Sequence, residues 1–177
     1  MDFCEFLSED ELIEIVPNFK YDRVLNLING DFGPFVPAVP LKVPLWMALN
    51  LYGQQKCKIN LPQWVLDIDQ LRVEQENSPG LIKMPCDYWR EVSKLLMKYQ
   101  ITPTSFTEEH LRIVERRDNI IKNSVKALLD GVINLDEDQI ARVKIKNITK
   151  FELAMMKKII LPYLAISKDI QRYPMRI

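Results

Sequence analysis

The sequence predicts an α+β fold that is mainly α: a small N-terminal β-rich domain over residues 1–61, then a C-terminal helical bundle domain over 62–177. Three observations carry this expectation. Short apolar runs closed by turn residues dominate the first sixty positions. From Pro62 onward apolar residues recur at helical spacing. Between the runs, Gly30–Trp46 (G-D-F-G-P-F-V-P-A-V-P-L-K-V-P-L-W) sets four prolines and two glycines among Phe, Val and Leu. That composition forces turns and extended backbone while the side chains still require burial. It reads as a packed loop and edge-strand region rather than a linker.

In chain order, Phe3 to Glu11 opens with a helical turn, and Ser8 with the acidic residues after it resembles an N-terminal cap. Leu12–Val16, closed by Pro17, and Val24–Ile28, closed by Asn29-Gly30, read as strands. Val43-Pro44 requires an extended residue and then permits a helix, expected over Pro44–Gln55 with Leu45, Leu49 and Tyr52 on one side. Trp64, Ile68, Leu71 and Gln75 share a face of one helical segment that stops at Asn77-Ser78-Pro79-Gly80. Tyr88, Val92, Leu95, Leu96 and Tyr99 form the cleanest stripe. Ser105-x-x-Glu108 is a capping box before a long helix carrying Leu111, Val114, Ile121, Val125, Leu128 and Val132. Asp136-x-x-Gln139 and Thr149-x-x-Glu152 repeat that signal for a short helix and a final one. The final helix is apolar over most of its circumference, so either the other helices surround it or a neighbouring protein covers its far side. Pro162 is expected to kink or break it.

Composition removes several function classes. Lys+Arg and Asp+Glu balance at 24 each, so no global basic field holds nucleic acid. Cys4, Cys57 and Cys86 are odd in number and lack C-x-x-C spacing, which points to a reducing compartment and buried thiols rather than zinc. No 18-residue apolar run or basic N-terminal leader occurs, so the chain is expected to be soluble and intracellular, with no membrane. His110, beside Glu108 and Glu109, reads as a solvated histidine at a helix start. No nucleophile elbow, zinc helix, phosphate loop or dinucleotide fingerprint is present, and Gly33 is followed by proline. Neither an enzyme nor a cofactor is expected. Arg142, Lys144, Lys146, Lys150, Lys157 and Lys158 form the one charge asymmetry, with Glu152 the sole opposing residue among them. Arg142, Lys144, Lys146 and Lys150 are candidate contacts to phosphate or an acidic partner, the alternative being a solvated helix face.

The residues Val16-Pro17-Asn18-Phe19, Gly30-Asp31-Phe32-Gly33-Pro34-Phe35, Val43-Pro44-Leu45-Trp46-Met47-Ala48-Leu49-Asn50-Leu51, Gln55-Lys56-Cys57 and Pro62-Gln63-Trp64 together resemble the Psf-two family of eukaryotic GINS subunits. Order and spacing agree over residues 12–64. Beyond them, Pro85–Met97 is similar to the family's next helix and Lys146–Leu164 to its closing segment, whereas 66–83 and 101–108 carry little that aligns.

The resemblance implies a β-rich domain before a helical one, and assembly into a heterotetramer with the Sld-five, Psf-one and Psf-three proteins. It implies that the tetramer joins the MCM ring and Cdc-forty-five in a nuclear replicative helicase without an ATPase of its own, meeting DNA at most through the complex. On that reading Leu111, Val114, Ile121, Val125, Leu128, Met155, Met156 and Ile159 are candidate subunit-interface residues, unless they only close the chain's own core. Pro44, Leu45, Trp46 and Trp64 are candidate domain-junction residues, packing locally or fixing the angle between domains. A DNA-binding or generic adaptor module using residues 142–158 is the alternative.

Overall fold

The computed structural model describes residues 3–133 and 146–172. Among the described residues seven helices and five strands follow in the order α1 (Phe3–Ser8), β1 (Leu12–Pro17), β2 (Leu25–Leu27), β3 (Gly30–Phe32), β4 (Leu41–Pro44), α2 (Leu45–Gly53), β5 (Cys57–Asn60), α3 (Gln63–Leu66), α4 (Ile68–Asn77), α5 (Trp89–Lys98), α6 (Phe106–Ile133) and α7 (Lys150–Arg172). An α+β fold, mainly α, with its strands at the N-terminal end is what the periodicities predict. The chain divides into two compact units, Met1–Arg72 with Tyr88–Leu111 and Val73–Asp87 with Arg112–Ile177.

In the first unit β1 is the centre of a three-stranded antiparallel sheet ordered β4-β1-β5, with Ile13 opposite Val43 and Ile15 opposite both Leu41 and Ile59. Alternation along β1 buries Ile13, Ile15 and Pro17 while Glu14 stays outside the core, as a strand with one covered face requires. Of the flanking strands, β4 falls within the expected edge-strand region, whereas β5 is not marked by its own sequence. Leu41–Pro44 and Cys57–Asn60 are short and polar at alternate positions, and pairing with β1 makes them strands through context.

The Val24–Ile28 run shortens to β2, which pairs with β3 across a tight hairpin, Leu27 opposite Gly30. Gly30 holds φ 132°, a value L side chains rarely adopt. The proline-rich stretch is packed rather than free. Phe32 and Phe35 are buried, Phe35 stacks on Phe19 at 5.3 Å, and Tyr21 and Phe35 exchange backbone hydrogen bonds of 2.8 and 2.9 Å. The peptide bond before Pro34 is cis.

Ser8 is the last residue of α1, not a cap in front of a helix, and its carbonyl accepts the Glu11 amide. Pro44 sits at the N-cap of α2 with φ −58° and ψ 145°, and Leu45, Met47, Ala48 and Leu49 are buried behind it. The segment expected as one helix from Trp64 is two. Asp67 leaves helical geometry at φ −98° and ψ 25°, its carboxylate accepting a 2.8 Å bond from Gln63, while its carbonyl accepts the amides of Gln70 and Leu71 and so starts α4.

Helix α5 buries Val92, Leu95 and Leu96 of the expected stripe, but Tyr88 and Tyr99 fall at its caps, half-buried and exposed, and Trp89, Arg90, Glu91 and Ser93 are buried as well. Among the described side chains of α6 the buried ones are Phe106, His110, Ile113, Arg117 and Val125. The expected stripe is therefore offset by one residue at Leu111 and Val114, where the buried line contains a histidine and an arginine, and coincides with it at Val125. In α7 the helix passes through Pro162 without a break; a lost amide bond inside a long helix need not end it. The expected short helix at Asp136-x-x-Gln139 lies outside the described residues.

Candidate functional site

Arg117 is the most constrained side chain of the second unit, fully buried and among the largest to be so. Its Nε and Nη2 donate to the two carboxylate oxygens of Glu152 at 2.7 and 2.8 Å, a two-pronged pair. Nη1 donates to Gln75 Oε1 at 3.1 Å and to the Ile82 carbonyl at 2.8 Å, and Nη2 also reaches the Asn147 carbonyl at 3.0 Å. These bonds use every N–H of the guanidinium, the condition under which burying such a charge is tolerated.

The acceptors are held in turn. Gln75 Nε2 donates to the Gly80 carbonyl at 2.8 Å, and Asn147 Nδ2 to the Leu81 carbonyl at 2.9 Å. The Thr149–Glu152 capping box forms as its spacing predicts: the Thr149 amide donates to Glu152 Oε2 at 3.0 Å, and the Glu152 amide to Thr149 Oγ1 at 3.4 Å. Glu152 thus caps α7 and neutralises Arg117 at once. One network ties α4, the 80–82 turn, α6 and the start of α7. It is a structural clasp and offers no reacting group.

His110, in the first unit, is not solvated. It is 3 % exposed, with its ring edge-on to Trp89 at 5.1 Å and stacked near Phe106 at 5.8 Å. Burial, and then the charges of Arg90 and Lys94, push its pKa down to about 4. The spacing signal that placed it on a helix start is correct, but Trp89 and Phe106 close over that start. Its two ring nitrogens meet no hydrogen-bond partner among the described residues. Cys57 is buried, its Sγ near the Ala48 carbonyl, and burial raises its thiol pKa. Among the described residues no three His, Cys, Asp or Glu side chains gather as metal ligands, and no helix is long and apolar enough to cross a membrane.

The candidate interface residues separate by burial. Val125 and Met156 are covered by the chain itself, Val114 and Ile121 are half-buried, and Leu111 and Met155 are 59 % and 45 % exposed. Leu128 and Ile159 lie outside the described side chains. Sequence reasoning passed over Leu153 and Leu161 as interface residues, yet both are exposed on α7. Their signal was already present in the all-round apolar pattern of that helix.

Pro44 and Leu45 are buried in the first unit, Trp64 is tilted against Phe106 at 6.4 Å, and Trp46 keeps 39 % of its surface exposed. Of the basic cluster, Lys146, Lys157 and Lys158 are exposed, while Lys150 pairs with Asp87 at 2.9 Å. Arg142 and Lys144 lie outside the described residues. Glu152 points to Arg117 and so does not screen these lysines.

Residues 1–60 match the family model described as the PSF2 N-terminal domain. Curated relatives extend the likeness through the helices. The chain is 33 % identical over 151 residues to the human DNA replication complex GINS protein PSF2, covering 84 % of this chain and 80 % of that protein. Identity is 34 % over 152 residues to the Xenopus laevis protein of the same name, covering 84 % and 80 %. It is 34 % over 161 residues to a probable PSF2 of Drosophila melanogaster, covering 90 % and 77 %. With two packed units, an N-terminal sheet matched by the family model and likeness that continues into the helical region, the chain belongs to the PSF2 family of GINS DNA replication proteins.

Proposed function

We propose that this chain is a non-catalytic structural subunit of a nuclear GINS heterotetramer, assembled with the Sld-five, Psf-one and Psf-three proteins. In this reading the tetramer serves initiation and elongation of DNA replication by joining the MCM ring and Cdc-forty-five in the replicative helicase. The observation that carries it is apolar surface left open on the two long helices. Leu111 on α6 and Leu153, Met155 and Leu161 on α7 are between 42 % and 61 % exposed in a chain of this family. Covering such side chains with similar helices of sister subunits gives the large apolar interface of an obligate assembly.

Val114 and Ile121 extend the proposed surface at half burial, whereas Val125 and Met156 support it from the core side. A boundary at residues 61/62 is supported by the family match ending at residue 60 and by the five strands of the described residues preceding it, while the first compact unit itself continues to Arg72 and takes in Tyr88–Leu111. Pro44, Leu45, Trp46 and Trp64 would then pack the first domain beside that boundary, with Trp46 the one of the four that is not covered. Direct DNA binding through 142–158 has less support, since Lys150 is already paired.

Co-expression with the three sister subunits, followed by sizing and light scattering, tests the assembly. One particle holding a single copy of each chain is the expected result. A lone chain that stays monomeric, melts cooperatively, binds no apolar dye and recovers none of the sisters would overturn the reading.

A further inference from the structure

A groove of about 810 Å³ opens in the first unit where the end of β1 meets β5 and the C-terminal ends of α2 and α5. Its apolar walls include Pro17, Pro37, Tyr52 and Tyr99. Tyr99 is 38 % exposed. Tyrosine presents a flat apolar face together with a hydroxyl donor. Rings of this kind beside prolines suit an extended polyproline II segment, whose pyrrolidine rings stack and whose carbonyls, lacking internal hydrogen bonds, accept from hydroxyls.

The groove is also held open. Asn18 Nδ2 donates to the Gln55 carbonyl at 2.7 Å, the Asn18 amide to the Lys56 carbonyl at 2.9 Å, and the Ala38 amide to the Pro17 carbonyl at 2.9 Å. Ala38 and Gln55, both lining it, hold φ values of 63° and 59°. A wall fixed by bonds on both sides binds without first having to order itself. Charge selects the flank of the occupant. Among the described residues Lys58 is the one charged side chain that lines the groove, and no carboxylate does. Exposed Lys56 adjoins it in sequence.

We propose that this groove docks an extended, proline-bearing peptide with acidic flanks from a partner protein. The inference is independent of the tetramer reading, since all of the groove belongs to this chain.

Fluorescence anisotropy of the purified full chain tests it with a labelled synthetic peptide carrying two prolines at P-x-x-P spacing between Asp and Glu residues. Comparison probes are the same peptide with lysine flanks, the same with its prolines replaced by glycine, and a labelled oligothymidine. The acidic proline peptide should bind saturably and best. Tyr99→Ala should weaken it roughly tenfold. Lys58→Glu, on an exposed side chain, should weaken it about threefold and shift preference toward the lysine-flanked peptide. Tyr99→Phe, which keeps the ring, should retain most of the affinity. Equal binding of all peptides, binding unaffected by both Tyr99→Ala and Lys58→Glu, or binding of the oligothymidine alone would overturn the proposal.

Discussion

Arg117 and Glu152 stand 35 positions apart in the chain, yet their side chains are 0 % and 2 % exposed and meet at 2.7 Å. Removing one partner leaves a buried charge, so Arg117→Ala should lower stability by about 3–5 kcal/mol, measured as a shift of the urea midpoint. Arg117→Met combined with Glu152→Leu should lose less than the two single losses together, because neither charge is then stranded. Strict additivity in that cycle would mean the pair is not coupled. His110 carries a different prediction. Its folded pKa of about 4 lies below the ordinary 6.5, so between those values the unfolded chain binds more protons. Its contribution is complete above pH 6.5 and is lost as pH falls toward 4, by up to about 3 kcal/mol. His110→Phe should flatten the stability profile over that interval. A variant curve parallel to the parent's would remove His110 as the cause. Neither role was legible in sequence, where His110 has two glutamates for neighbours and Arg117 follows Arg116. Nothing in one dimension distinguishes an arginine facing water from one facing a carboxylate 35 residues away.

At the scale of elements, legibility follows how local the determining interactions are. The α7 capping box is contained in four residues and forms at its predicted site. Thr149→Ala should therefore cost about 1 kcal/mol, checked by thermal melting, with the loss smaller when Glu152 is already replaced. The hydrophobic stripe of α5 is likewise self-announcing. Helix α6 is the instructive contrast: its existence and start are plain from the sequence, but its buried line runs Phe106, His110, Ile113, Arg117, mixing apolar with polar residues. Counting only apolar residues selects the neighbouring line through Leu111 and Val114 and rotates the first turns of the helix by one position, the two lines meeting again at Val125. Strand β5 was missed, and β4 was legible only as part of an edge-strand region, for a related reason. Each has only four residues, and what makes them strands is β1, whose two edges they occupy. The break at Asp67 is a departure of one residue's backbone, φ −98° and ψ 25°, which side-chain periodicity does not register.

For the molecule as a whole, assembly should depend on the exposed apolar positions of α7 rather than on its charges. Met155→Glu with Leu161→Glu changes two side chains that are 45 % and 61 % exposed, so the isolated fold should be altered by less than about 1 kcal/mol. Co-purification of the sister subunits should nevertheless be lost, because two carboxylates would be desolvated in the interface. Lys157→Glu, also on the exposed side of α7, serves as the charge control and should assemble normally. Recovery of all sisters by the double variant would place the interface elsewhere. Leu111 belongs to the other compact unit, and Leu111→Glu reports separately on whether that unit takes part.

By itself the sequence determined the change from strands to helices near Pro62, the positions of most helix starts and stops, and the family, through proline, glycine and tryptophan placements such as G-D-F-G-P-F and V-P-L-W. These are short-range properties: backbone restriction, capping and one-face periodicity act over a few residues. Only the tertiary structure decided that His110 is buried against Trp89, that Glu152 turns from the lysines around it to Arg117, and which apolar residues of α6 and α7 are left uncovered. Those outcomes depend on which distant surfaces meet. Burial and charge pairing are properties of the surroundings in space, which a single chain position does not carry.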